Sequence, residues 1–537
     1  MRKVVDSQTA SYSDEESQWH KLHFESTLNY DRAFGDHRLG GLVYYYMSSF
    51  QDSYCGIHGF NCDDSMDNIP KRYQGLAGRL TYGFKDTYLI DLNFGYTGSE
   101  NFQKGRRFGF FPSVALGWIP TNYDFVREKL PWLSFLKIRG SWGTVGNDQI
   151  TNKRFPYLTL MNENAGAGWN GNNGVTEKSV GADNLQWEKA TKVDIGIEGK
   201  LFNEQVDFTV DFFHDTRNSI FQQRTMIPDY VGLAEQPFGN VGSMVSYGAD
   251  GNIAFTQNIG KDFSFTLRGN FTYTANMVKT WEEAFQKYIY QEKANKPYDY
   301  YFGYIAMGLF RDENDVKFSP DQSSISGREV LPGDIKYKDV NGDGLINIDD
   351  MVPLSYKQNY PRLMYGFGGE FRYKKITLGV LFKGTGNVDN YSVDNGSALG
   401  SGFLPFASGA TGNILKITAK QSNRWTPREI SGDPATENPN AIFPRLSYGN
   451  DSNNRQNSTF WKTNARYLRL QEINLNYNLS AGKILKMLGV SSLDLQFVAS
   501  NILVWSPFKH WDPEQAASNG AAYPIPARYA FQMYINF

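Results

Sequence analysis

Apolar and polar side chains alternate along most of this chain. In LHFESTLNY, Leu22, Phe24, Leu28 and Tyr30 share one face, and His23, Glu25, Thr27 and Asn29 the other. TYLIDLNFGYT sets Tyr88, Ile90, Leu92, Phe94 and Tyr96 against Asp91, Asn93 and Thr97. KVDIGIE, VDFTVDF, LMYGFGGEFRY, ITLGVLF and EINLNYNL repeat the pattern, which is cleanest in DFSFTLRGNFTYT. There Phe263, Phe265, Leu267, Phe271 and Tyr273 oppose Ser264, Thr266, Arg268, Asn270 and Thr272. A period of two is the signature of a strand with two unlike faces. The last residues, ARYAFQMYINF, follow it to the end: Tyr529, Phe531, Met533, Ile535 and Phe537 fall on one face. A soluble domain usually lets its final residues fray, so an apolar terminal strand implies an apolar surrounding.

The connections fall into two kinds. AFGDHR, GFKDT, LFNEQ, NIGKD and RYKK are tight turns, whereas long polar stretches follow the strands near Cys55, Gly146, Met277 and Gly384. Short and long connections are expected to alternate strictly, so one end of the sheet is trimmed and the other elaborated. Loops of the longer size are uncommon in compact soluble domains. The asymmetry is that of a membrane barrel with short periplasmic turns and long extracellular loops. The count is about 15 strands, a partial one if closure needs an even number. Two connections at the trimmed end, Glu128 to Lys137 and Ser480 to Ser492, read as brief amphipathic helices. A soluble β-sandwich alternates equally well. It would need its many charged residues on a solvated outer face, whereas a wet or plugged barrel accepts them inside. The terminal strand favours the barrel, because no sheet edge stays unpaired in lipid, and the expectation is that this strand closes it. The fold class expected is all-β, a transmembrane antiparallel barrel.

Composition sharpens the picture. Aromatic residues make up 15% of the 537, yet mean hydropathy is −0.49. No apolar run approaches the ~20 residues a membrane helix needs, so any crossing is made by strands. The 54 basic and 56 acidic residues leave a net charge of −2, which argues against a nucleic-acid partner. The first residues, MRKVVDSQTASYSDEESQW, contain no apolar stretch of signal-peptide type. Cys55 and Cys62 are spaced for either a small disulfide-closed loop or two separate thiols.

One local motif carries candidate chemistry. DVNGDGLINIDD places Asp339, Asn341 and Asp343 at positions one, three and five of a calcium-loop pattern, with Asp350 at twelve. The Leu345 carbonyl at seven and Asn347 at nine, through water, complete an all-oxygen set suited to Ca2+. Gly344 permits the sharp bend, and Ile346 would anchor the loop. An Asp at twelve is shorter than the usual Glu, and proline-bearing flanks exclude a paired helix-loop-helix. A tight Asn-Gly, Asp-Gly turn that only orders its loop is the simpler alternative. Nothing comparable points to catalysis. The six histidines are scattered, and no zinc-protease, phosphate-loop or nucleophile-elbow motif is present. Loops around Trp169, Tyr288 to Tyr304 and Trp425 combine aromatic rings with amides. Such loops can stack on sugars; a lid-protein interface or a lipid-boundary girdle is the expectation for most.

Several blocks, in order, carry a family resemblance: RYQGLAGRLTYGFKDTYLIDLNFGYTGSENF, FGFFPSVALGW, FLKIRGSWGTVGND, LQWEKATKVDIGIE, LPGDIKYKDVNGDGLINIDD, RYLRLQEINLNYNL and YPIPARYAFQMYINF. Together they resemble the C-terminal part of a SusC-like (RagA-type) TonB-dependent outer-membrane transporter. The resemblance implies uptake of oligosaccharides, or less often peptides, under a SusD-like surface lipoprotein lid, with TonB as the energy source. It also implies that the strand from Tyr529 to Phe537 resembles the signal read by the outer-membrane assembly machinery. Members of the family carry a signal peptide, a TonB-contacting segment and a plug inside a barrel of about 22 strands. None of these N-terminal parts is visible in the sequence, which implies a split, truncated or isolated barrel portion that could not be energised by TonB alone. A passive porin, complete in itself, is the alternative function, and a secreted calcium-binding adhesin a more distant one.

Overall fold

The computed structural model describes residues 15–56, 69–149, 155–162, 174–182, 184–356, 360–391, 416–446, 452–480, 489–509, 511–515 and 523–537. Fifteen strands form one sheet, each paired with its neighbour in chain order. They are β1 (Glu15–Phe34), β2 (His37–Gly56), β3 (Lys71–Phe84), β4 (Tyr88–Ser99), β5 (Phe108–Trp118), β6 (Leu133–Asn147), β7 (Glu188–Leu201) and β8 (Val206–Gln223), followed by β9 (Phe238–Ile259), β10 (Phe263–Thr280), β11 (Leu363–Tyr373), β12 (Ile376–Gly386), β13 (Tyr467–Ser480), β14 (Ser492–Trp505) and β15 (Arg528–Asn536). Every pairing is antiparallel.

Register turns the alternation in the sequence into two surfaces. Phe265, Phe371, Leu378, Leu475, Phe497 and Phe531 stand opposite one another in a row across β10 to β15. One residue along, Ser264, Arg372, Thr377, Asn476, Gln496 and Gln532 form the matching row on the other face. Opposed residues share a face, so the first row is apolar and the second polar throughout. Tyr529, Met533 and Ile535 lie on the apolar side with Phe531, opposite Ala499, Leu495 and Leu493. This face exposes most of the large apolar side chains of the wall, and a one-residue slip of any strand would exchange the two faces.

The short turns are built from residues that accept a left-handed backbone. Gly35, Lys85, Asp86, Phe202, Asn203, Glu204, Gly260 and Lys374 all have positive φ, as tight hairpins require. At the opposite end the connections are larger on the whole, although 100–107 and 224–237 are modest, so strict alternation of short and long does not hold. Among the connections described throughout, that of 119–132 is the exception at the trimmed end. Its helix α1 (Asp124–Lys129) lies a turn earlier than the Glu128 to Lys137 expected from the sequence, and Leu133 already opens β6. Pro131 explains the difference: it cannot donate an amide hydrogen, and the Leu130 amide closes the helix onto the Val126 carbonyl. The other expected helix falls largely on 481–488, outside the described residues, as does any Cys55–Cys62 pairing.

The last strand does not close the sheet. Among the described residues β15 pairs with β14 alone, and β1 with β2 alone. Both edge strands run toward the short-turn end, so a direct pairing would be parallel. Antiparallel closure between them takes an odd number of further strands.

The packed apolar core lies outside the wall, in the connections of 281–362 and 387–466. Tyr304, Leu309, Ile335, Tyr337, Ile346, Trp425, Phe443 and Trp461 come together there. Short strand pairs brace them, Tyr301–Gly303 with Val352–Ser355 and Ala306–Leu309 with Ile335–Tyr337. A second cluster at the same end joins Phe102, Leu185, Trp187 and Phe221.

Candidate functional site

The polar face of the wall is organised by ion pairs. On β3 and β4 the Arg79 Nη2 lies 2.5 Å from Asp91 Oδ2, and Lys192 on β7 reaches Asp215 on β8 at 2.8 Å. Arg139 on β6 serves two acids, Glu198 at 3.0 Å and Asp211 at 2.7 Å. Charged residues on a strand in lipid are tolerated only where they face one another or water, and these do. At the long-loop end Arg469 of β13, almost fully buried, holds Asp512 at 2.5 Å and Glu514 at 3.2 Å. Lys383 and the Tyr467 hydroxyl also bind Glu514, at 2.7 and 2.9 Å. The β14–β15 connection is thus tied to the mouth of the wall by three of the wall's side chains.

The two longest connections interlock through buried polar groups. The Gln322 amide nitrogen donates to the Ile335 carbonyl and to Asn453 Oδ1, while its oxygen accepts the Tyr337 amide. The Tyr337 hydroxyl donates to the Asn453 carbonyl at 2.6 Å, and Asn454 accepts the Ile335 amide. Asp334 is fully buried; burial pushes its carboxyl up, against the opposing pull of the Arg328 guanidinium. Buried polar groups so fully partnered fix a single arrangement of the two loops. A clamp between neighbouring loops is made by Glu282, which accepts from Arg224 Nε at 2.7 Å and from the Thr225 and Met226 amides. Burial alone would raise the Glu282 carboxyl, but the Arg224 bond and the two amides outweigh it and hold it below its ordinary value.

The loop Asp339–Asp350 lies on this unit. Ile346 is fully buried in the core, as an anchor should be, and Gly342 and Gly344 take φ of 79° and 82°. Asp339 accepts the Gly342 and Gly344 amides, Asn341 the Asp343 amide, and Asp343 the Leu345 amide. The Leu345 amide, and after it the Asn341 side-chain amide, hold the Asp343 carboxyl below its ordinary range. Asp350 is buried, with its two oxygens on the Val340 and Asn347 amides, and Asn347 caps Asp349. No group of three or more acid, histidine or cysteine side chains positioned for a metal occurs among the described residues. The donors are nonetheless all oxygen, and a carboxylate oxygen has a second acceptor site beyond each amide bond.

The aromatic loop residues divide. Tyr301, Tyr304 and Trp425 are core, not surface; burial pushes the Tyr304 phenol up to about 12. They offer neither a sugar platform nor a girdle, because each is enclosed where the two long loops meet. Tyr288 and Tyr290 stack at 5.1 Å and attach to the 339–350 loop, the first through Asn341 and the second through the Asp349 carbonyl. Phe285 and Ile289 beside them are exposed. Trp169 lies outside the described residues.

A strand wall with one apolar face, one ion-paired face and an elaborated end matches a known family model. Residues 4–502 match the TonB dependent receptor-like β-barrel. The chain belongs to this TonB-dependent receptor family. It is therefore an outer-membrane chain, its apolar face against lipid and its long loops at the cell surface. TonB-dependent receptor P26 of Formosa agariphila is 27% identical over 96% of this chain and 53% of its own length. TonB-dependent receptor SusC of Bacteroides thetaiotaomicron is 25% identical over 84% of this chain and 42% of its own. Among solved structures, the RagAB peptide transporter superposes with a TM-score of 0.70 at 20% identity, over 97% of this chain and 56% of that one. The RagAB peptide importer in its closed-closed state gives 0.72 at 19%, a likeness of fold. The chain spans about half the length of the curated relatives it matches.

Proposed function

We propose that this chain is the larger part of the barrel wall of a SusC-type importer that takes up oligosaccharides across the outer membrane. The observation that carries the reading is the pairing of a lipid-suited face with an ion-paired inner face beneath an ordered surface-loop unit. A wall of that kind guides a polar solute and performs no covalent chemistry. The remaining strands, odd in number, and a plug belong to a further segment or chain; TonB acts through that plug, and a SusD-like lipoprotein covers the loops. The family match and the kinship with SusC support this arrangement, and the fold shared with RagAB accommodates a peptide in place of a glycan.

Uptake by cells with and without the gene tests it. Loss of labelled oligosaccharide uptake on deletion, and equal loss on dissipating the proton gradient, is the expected result. Uptake that ignores the gradient would place the chain among passive porins, and loss confined to oligopeptides would move the substrate class.

We further infer that Asp339, Asn341, Asp343, Asp350, the Leu345 carbonyl and Asn347 take Ca2+ in a structural role. The all-oxygen set at calcium-loop spacing, the positive-φ glycines and the buried Ile346 support this. Bound there, the ion would brace the loop against Tyr288 and Tyr290. The segment from Tyr529 to Phe537 is proposed as the assembly signal, since it sets its aromatic face beside β14 at the chain's end.

A further inference from the structure

At the trimmed end of the wall the turns described throughout are small and charged, with one departure among them. Gly35–Asp36, Gly260–Asp262 and Lys374–Lys375 are of the usual kind. The connection of 119–132 instead keeps α1 and presents Phe125, Leu130 and Trp132 to the outside. Phe202, from the neighbouring β7–β8 turn, joins them: its amide donates to the Trp132 carbonyl at 2.7 Å, and the two rings lie 6.3 Å apart. None of these side chains is drawn into the protein, and Phe125 is 60% exposed.

Two further observations show that the patch faces something. Phe202 takes φ of 54°, in the left-handed region where a bulky side chain is strained and Asn or Gly would sit easily. The phenyl ring meets Trp132 and still leaves about half of itself exposed, so the strained residue holds apolar surface outward. The patch is also continuous with the lipid-facing surface. Tyr88 stands in the outward row of β4, its hydroxyl bonds that of Tyr123, and the Tyr123 ring stacks on Phe125 at 5.5 Å. Aromatic residues at the end of a membrane-spanning surface prefer the boundary between headgroups and acyl chains.

We propose that this connection is a lipid-binding foot, which seats Phe125, Trp132 and Phe202 in the headgroup boundary of the periplasmic phospholipid leaflet. The foot extends the wall's lipid contact beyond the strand ends across β4 to β8. It would set the depth at which that side of the barrel rides in the membrane. The helix carries charges of both signs, Asp124, Arg127, Glu128 and Lys129, as suits a segment lying in the interface and not crossing it. The inference rests on the outer-membrane placement and is independent of what the transporter carries.

The test is fluorescence of Trp132, taken as the difference between the intact protein and its Trp132→Phe variant, each reconstituted into phosphatidylethanolamine vesicles. Lipid brominated near the carbonyl should remove roughly half or more of that emission, and lipid brominated deep in the chain much less, as for an interfacial tryptophan. Acrylamide in the water should quench it weakly. Emission that ignores brominated lipid and yields freely to acrylamide would overturn the proposal; it would leave the foot in the periplasm, open to a protein partner. A second variant separates lipid binding from folding. Phe202→Asn relieves the backbone, so its unfolding temperature in detergent should hold or rise while quenching of Trp132 by shallow brominated lipid falls. Unchanged quenching would show that Phe202 does not anchor the foot.

Discussion

Arg139 on β6 bonds Asp211 on β8 across an intervening strand, and it can do so because residue 196 between them is glycine. In register, Arg139, Gly196 and Asp211 stand in one row. A Cβ on Gly196 would lie 2.0 Å from Asp211 Oδ1 and 2.7 Å from Arg139 Nε. The gap in the middle strand is the channel through which the pair closes. Gly196→Ala should therefore part the bridge, and Arg139→Ala should remove it, leaving Asp211 buried without its partner. Arg139 keeps more than a third of its side chain exposed, so the loss should fall below the ~3–5 kcal/mol of a fully buried pair. Both variants should unfold at lower denaturant in detergent, while a Lys137→Ala variant, which leaves Arg139 and Glu198 paired, should change little.

The register also assigns neighbours on one strand to opposite surroundings. Phe497 sits in the apolar row between Leu475 and Phe531, and Gln496 in the polar row between Asn476 and Gln532. Phe497→Arg should destabilise the protein in bilayers by about 2–4 kcal/mol, the toll for a cation at mid-membrane. Gln496→Arg should be close to neutral. Reversible unfolding in lipid vesicles reads both.

These two faces were legible in the sequence because a strand's side-chain period is fixed at two, so LHFESTLNY or DFSFTLRGNFTYT declares its faces unaided. The calcium-loop spacing and its anchor Ile346 were visible for the same local reason. What the sequence hid was long-range. That Trp425 is enclosed in a core with Tyr304 and Ile335 follows from two loops folding together, and no periodicity records a contact between residues that far apart. The Arg139–Asp211 bridge was hidden likewise, since only the register puts Gly196 between them. The helix near Pro131 was displaced because an amphipathic reading of Glu128 to Lys137 overlooked how firmly a proline ends a helix and how regularly the next residues alternate.

The loop clamp at Glu282 should be sensitive to acid. Its folded carboxyl lies below the ordinary value of 4.5, because Arg224 and two amides favour the charged form over the cost of burial. The stability it contributes is full above 4.5 and is lost as pH falls through the folded value. Protection of the Thr225 and Met226 amides, corrected for intrinsic exchange, should drop over that descent. In Glu282→Gln the protection should be lower at neutral pH and nearly flat with pH.

Calcium should stabilise the surface-loop unit and leave the wall alone. Free calcium at about a hundred times its dissociation constant would add about 2.7 kcal/mol. Protease resistance of the 281–362 connection should rise accordingly. Asp343→Ala should abolish the calcium response and keep most of the metal-free resistance, since Asp339 still caps Gly342 and Gly344. An identical response in that variant would show that the loop is a turn alone.

The central claim is the orientation of the wall, with long connections outside the cell and short turns within the periplasm. Single cysteines at Phe318, exposed in a long connection, and at Lys261, in a short turn, can be placed in a full-length protein whose Cys55 and Cys62 are replaced by serine. A membrane-impermeant maleimide applied to intact cells should label Phe318→Cys and spare Lys261→Cys until the outer membrane is opened. Labelling of Lys261→Cys on intact cells, with Phe318→Cys protected, would contradict the account.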